Sequence, residues 1–154
     1  MATPLVHTPP PDAMAHCELC QQPGGILLWR DDEWRLIRVA DADFPAFYRV
    51  VAQRHVGEFS DLAPLARERC MGLVAAVERA LIEQLAPTKV NLAALGNVVP
   101  HLHWHVVARH HWDSHFPQPI WGVRQREVAP PAETRLAVPL EVLDAAVVAA
   151  VLAA

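Results

Sequence analysis

Seven consecutive residues, His101-Leu102-His103-Trp104-His105-Val106-Val107, restrict this chain more than any other segment. Polar and large apolar side chains alternate over the first five, which is the period of a strand and not of a helix. Successive strand side chains point to opposite faces, so His101, His103 and His105 share one face at a spacing of about 6–7 Å. Leu102, Trp104 and Val106 take the other face, where a helix can cover them. A neutral imidazole carries one donor and one acceptor, and both need partners when buried. A core has no use for three such groups in a row. A set of surface or hydrogen-bonded histidines is the bland alternative. A single metal ion suits the row poorly, because the first and third histidines are about 13 Å apart at the backbone, while zinc–nitrogen bonds are about 2.0–2.1 Å.

The segment before the row has matching chemistry. Asn91-Leu-Ala-Ala-Leu-Gly96-Asn97-Val98-Val99-Pro100 leads from one strand into the histidine strand. Gly96 allows a turn and a close backbone approach to a ligand. The N–H groups of Asn97, Val98 and Val99 can point at an anion, whereas Pro100 has none to offer. Phosphoryl transfer requires a nucleophile in line with the leaving group and donors for the equatorial oxygens.

The rest of the chain supplies a frame. Ile26–Trp29 and Trp34–Val39 read as a hairpin around a charged turn, Tyr48–Ala52 as a third strand, and Lys89–Leu95 and Leu102–Val107 as the last two. Between them Leu65, Cys70, Leu73, Val74, Val77, Leu81 and Leu85 recur at helical spacing, with Ser60 or Asp61 as N-cap, Pro64 in the first turn and Pro87 as the stop. Hairpins around one long helix predict an α+β fold with an antiparallel sheet of about five strands. Residues 1–15, with four prolines, read as a flexible arm. Residues 16–121 form the domain, and 122–154 a polar linker followed by an Ala-rich helix from Pro139 to Leu152.

Composition closes several routes. Hydrophobic residues make up 53% of the chain, enough for a core. The longest apolar run without a charge, Ala145–Ala154, is far short of the roughly 20 residues that span a membrane. The N-terminus has no basic stretch followed by an apolar one, so no signal peptide is expected and the cytoplasm is the default location. The net charge is −4 and the basic residues are scattered, which argues against a nucleic-acid groove and leaves a small anionic ligand. Three cysteines make no disulfide framework.

The seven-residue segment resembles the H-φ-H-φ-H-φ-φ signature, φ being apolar, of the histidine triad (HIT) superfamily, and His101 to Val107 fits every position. The resemblance runs from about Cys17 to Trp121 and includes the C-x-x-C start, Val50-Val51 before His55, the long helix, and the Asn-containing strand before a Gly turn. It implies a homodimeric HIT-like fold. It also implies a nucleotide hydrolase or nucleotidyl transferase acting at an α-phosphorus, on phosphoramidates or dinucleoside polyphosphates. By position, His103 is the nucleophile and forms a covalent phosphohistidine. His105 binds phosphate and assists the leaving group, and His101 orients His103. Asn91, Gly96, Asn97 and Val98 would line the phosphate site, and Asp41, or less favourably Asp43, would meet the ribose hydroxyls. The segment Phe116–Trp121 would reach toward an active site, its own or a partner's, as a substrate-selecting arm or a simple anchor.

Some family members close a structural zinc site with the C-x-x-C, a histidine like His55 and the first triad histidine. That implies Cys17, Cys20, His55 and His101 as ligands, with no cofactor needed for catalysis; the alternative is two reduced thiols. A thioredoxin-type pair lacks its βαβ setting. The chain departs from the family pattern at Val98, where a Ser or Thr is usual. It departs again at Ala52-Gln53-Arg54, where Pro-Lys is usual, and at Phe47, where a His is common. Two other functions compete: a nucleotide-binding sensor with little turnover, suggested by Val98, and a metal-dependent hydrolase, suggested by the nine histidines and the C-x-x-C.

Overall fold

A computed structural model describes residues 14–154; most of the expected N-terminal arm, residues 1–13, lies outside them. A short helix, α1 (Glu18–Gln21), follows Cys17. Five strands then form one sheet: β1 (Ile26–Arg30), β2 (Trp34–Arg38), β3 (Phe47–Ala52), β4 (Lys89–Ala93) and β5 (His103–Arg109). Their spatial order is β1-β2-β3-β5-β4, with every neighbouring pair antiparallel. The histidine strand is therefore interior, flanked by β3 and β4.

The two faces of the sheet divide as the alternation predicts. Tyr48, Val50 and Ala52 of β3 join Leu102, Val106 and Ala108 in a core shared with Cys70, Leu73, Val74, Val77 and Leu81 of the long helix α2 (Pro64–Leu85), and Trp104 packs against it. The other face carries Phe47, Arg49 and Val51 on β3 opposite Val107, His105 and His103 on β5. Pro64 opens α2, and Ala86, left-handed at φ 44°, ends it. The residue before a proline is driven out of the right-handed helical region, which places the stop at Ala86 rather than at Pro87 itself.

Several boundaries differ from expectation. Ser60 and Asp61 do not cap α2; they belong to a separate 3-10 turn, Phe59–Asp61, closed by a capping box between Glu58 and Asp61, and Ala63 stands at the N-cap of α2. β4 stops at Ala93 because Gly96, at φ 80°, begins the turn early. β5 starts at His103 rather than Leu102 and runs on to Arg109, where pairing with Lys89 persists. The C-terminal helix α3 (Leu140–Leu152) buries Leu143, Val147 and Val151 in the same core as α2, each contributing about 1.5–3 kcal/mol by leaving water. Asp144 ties it to the sheet by accepting from Arg38 Nε at 2.9 Å and Tyr48 Oη at 2.7 Å.

Candidate active site

His103 and His105 project from β5 onto the face away from α2, with ring centroids 4.8 Å apart. His103 Nδ1 lies 2.6 Å from the backbone carbonyl of His101. A carbonyl only accepts, so Nδ1 holds the proton and the lone pair sits on Nε2. His101 thus orients His103 through its main chain and not through its ring. Burial pulls His103 below the ordinary histidine value, keeping that lone pair unprotonated.

His105 has the opposite tautomer. Its Nδ1 accepts from Arg49 Nε at 3.2 Å, across the β3–β5 register pair Arg49–His105. An arginine has no acceptor to give, so His105 Nδ1 is bare and its proton is on Nε2. Burial, then the positive Arg49 and His103, press its pKa down to about 3. One ring therefore offers a lone pair and its neighbour an N–H donor.

A cleft of about 530 Å³ opens over both rings, within the range of small-molecule sites. Its lining includes Gly96, Asn97, Val98, Arg49, Glu18 and Trp121. Val98 is 93% exposed on the turn. Trp121 meets His105 edge to face at 5.0 Å, within the same chain.

Three expected residues, Asp41, Asp43 and Asn91, are not among those lining the cleft. Asp41 Oδ1 accepts the backbone N–H groups of Asp43 and Phe44 at 2.9 and 3.1 Å and so closes a turn. Asp43 pairs with Arg124 at 2.8 Å. Asn91 Oδ1 accepts from Arg109 Nη1 at 2.8 Å, which turns it toward the segment after β5. That segment is organised by Asp113, whose carboxylate accepts from Arg109 Nε and Nη2 and from the N–H groups of His110, His115 and Phe116. Arg109 also donates to the Gln118 carbonyl. The Arg109–Asp113 hub and Arg49 escape the sequence reading. Arg49 left a trace, as the one charged residue within Phe47–Ala52.

Beside the cleft, Cys17, Cys20, His55 and His101 bring four ligand atoms within 4.8 Å of one another. Cys17 Sγ and Cys20 Sγ lie 3.4 and 3.5 Å from His101 Nδ1, and Cys20 Sγ lies 3.2 Å from His55 Nδ1. A tetrahedral zinc with bonds of about 2.3 Å to sulfur and 2.05 Å to nitrogen sets sulfur–nitrogen edges of about 3.6 Å. The donor set fits. His101 Nε2 donates to the Ala52 carbonyl at 2.6 Å, leaving Nδ1 bare toward the cysteines, as a metal-ligating imidazole held by a carbonyl requires. Without a cation, burial and the neighbouring Cys17 push the Cys20 thiol up to about 11.

The HIT domain model matches residues 22–112, more than half of the chain. A comparison with curated protein sequences finds no match. Among solved structures, a histidine triad protein from Bradyrhizobium japonicum is 29% identical, with 84% of this chain and 92% of that one covered and a TM-score of 0.68. One from Sinorhizobium meliloti is 26% identical over 88% and 98%, with a TM-score of 0.66. A zinc-bound histidine triad family protein from Mycobacterium smegmatis shares the fold at 17% identity, 91% and 96% coverage and a TM-score of 0.58. With His103, His105 and Val107 on an interior strand of the sheet and the family model spanning that strand, this chain belongs to the histidine triad family.

Proposed function

We propose that the chain is a nucleotide hydrolase or nucleotidyl transferase in which His103 Nε2 attacks the α-phosphorus. The observation that carries this is the His103 Nδ1 contact with the His101 carbonyl, which leaves a neutral, unprotonated Nε2 facing a nucleotide-sized cleft. As the N–P bond forms, positive charge develops on the ring and the carbonyl at Nδ1 stabilises it. His105 Nε2–H and the N–H groups of the Gly96–Val98 turn donate to phosphate oxygens, as positioned donors do in phosphoryl transfer. A covalent intermediate divides one displacement into two. His103→Ala should therefore abolish turnover while nucleotide affinity stays within about tenfold, because the group acts in bond making. Rapid quench with α-phosphorus-labelled nucleotide should trap an acid-labile protein adduct in the wild type. A variant retaining more than a few per cent of activity overturns the assignment.

Cys17, Cys20, His55 and His101 would hold a zinc ion in a closed Cys₂His₂ set. Bound there, the ion supplies folding free energy and stabilises the thiolates. Its four ligands come from the protein, which leaves no open position for an activated water and disfavours the metal-dependent hydrolase. The chain's own residues give the site its purpose: the cluster fastens α1 to the start of β5, whose carbonyl at residue 101 holds the nucleophile. The expected homodimer would form along β4, an edge strand with Leu92 and Leu95 exposed. Among the described residues, no helix is long and apolar enough to cross a membrane.

A further inference from the structure

Arg49 stands in the middle of β3, between Phe47 and Val51 on the catalytic face. Its Nε is committed to His105 Nδ1, and its guanidinium lies over the Phe47 ring at 5.2 Å. Its two terminal nitrogens have no protein acceptor among the described residues, and the side chain lines the cleft. Glu18 lines the same cleft, and its charge favours the protonated guanidinium without making an ion-pair contact with Arg49. A half-buried, permanently charged fork therefore faces the substrate beside His105 with donors to spare.

From this pairing we propose that Arg49 binds the leaving group and selects for leaving groups that depart as phosphate anions: the substrates are nucleoside or dinucleoside polyphosphates rather than phosphoramidates. The inference rests on His103 being the nucleophile.

The proton inventory supports it. A phosphoramidate releases an amine, which must receive a proton as the P–N bond breaks. His105 is the nearest candidate, but its one proton is the Nε2–H of a neutral ring. The second protonation position, Nδ1, is occupied by the Arg49 Nε–H. His105 is thus a hydrogen-bond donor and not a proton donor. A phosphate leaving group needs no proton. The His103 Nε2 lone pair forms the N–P bond and the bridging P–O bond breaks. Its electron pair departs on that oxygen, whose charge is shared between the Arg49 terminal N–H groups and His105 Nε2–H. Water then attacks phosphorus, the P–N pair returns to Nε2 and the water proton passes to solvent. His103, Glu18 and Arg49 are the titratable or charged groups around His105, with Phe47 and Trp121 completing its surroundings.

The test compares diadenosine tetraphosphate with an adenosine phosphoramidate bearing an alkylamine, which share the AMP moiety. The intact wild type should show the higher kcat/KM on the tetraphosphate. Arg49→Met should lower that value about tenfold to a hundredfold, the worth of a charge-assisted hydrogen bond, with the phosphoramidate rate changed far less. Arg49→Gln, which can still donate to His105, should also lose the preference, and it serves if Arg49→Met does not fold. Nitrogen-15 spectra should show His105 as the Nε2–H tautomer in the wild type and a nearer-normal titration in Arg49→Met. A wild type that prefers the phosphoramidate, or an Arg49 variant that slows both substrates equally, overturns the proposal and leaves His103 intact. If neither nucleotide turns over, the enzymatic reading fails. Arg49 is then judged by binding: ADP should exceed AMP in affinity in the wild type, and equal affinities overturn it.

Discussion

Replacing Asp113 by Ala should detach Trp121 from the cleft and cost much of the domain's stability. Asp113 and Arg109 have side chains only 3% and 2% exposed, so the pair is shielded from solvent. The carboxylate accepts from both Arg109 nitrogens, at 2.8 and 3.0 Å, and from three backbone N–H groups at 2.7–3.1 Å. Removing it leaves a buried guanidinium uncompensated, a loss of about 3–5 kcal/mol. At about 2–4 °C per kcal/mol for a chain of this size, the melting temperature should fall by roughly 6–20 °C. Asp113→Asn keeps an acceptor oxygen for the backbone and should lose about 1.5–3 kcal/mol. The pH dependence has a definite sign. Burial alone would raise this carboxyl, but the Arg109 hydrogen bond and the N–H groups of His110 and His115 outweigh it and hold the group below its ordinary 3.8. A depressed carboxyl pKa stabilises the fold above the unfolded value of about 3.9, and this contribution is lost as pH falls through the folded one. The gap between wild type and Asp113→Ala should therefore stay constant from about pH 8 to 5 and narrow below about 4. Urea unfolding measures the gap. Trp121 emission, isolated by difference against Trp121→Phe, reports whether the arm has moved. A melting temperature within about 2 °C of wild type, or unmoved Trp121 emission, refutes the hub's role.

Two further outcomes follow from the cluster and the sheet edge. Elemental analysis should find about one zinc per chain, and Cys17→Ser with Cys20→Ser should abolish it and lower the melting temperature, because binding free energy is folding free energy; metal-free protein whose melting ignores chelators contradicts the site. Light scattering at micromolar concentration should give a dimer mass, and Leu95→Lys should weaken it by placing a charge on the β4 side; a wild-type monomer counts against pairing through that edge.

The sheet is legible in the sequence because its strands carry a period of two against one helix with a period near 3.6, and the histidine strand forces one face to be a site. The Cys17, Cys20, His55 and His101 cluster is legible only through the family resemblance, since nothing local in the chain links those residues. Arg49 and Asp113 are harder for a physical reason. Their roles depend on what lies across a strand pair or across a folded-back loop, and side-chain type alone does not reveal a partner 56 residues away, as with Arg49 and His105. Asp41 shows the converse: an acidic residue near the expected place also serves its own turn, its Oδ1 accepting the backbone N–H groups two and three residues on, a local role that side-chain type does not reveal.

The carbonyl that sets the His103 tautomer belongs to a residue whose ring sits against Cys17, 84 positions earlier in the chain. That contact closes a loop containing all of β1 to β4 and α2. Such distant closures are entropically expensive and come late in folding. A newly made chain can thus assemble most of its sheet while the imidazole at 103 still samples either tautomer. The setting of that imidazole is then completed last, when Cys17 reaches His101.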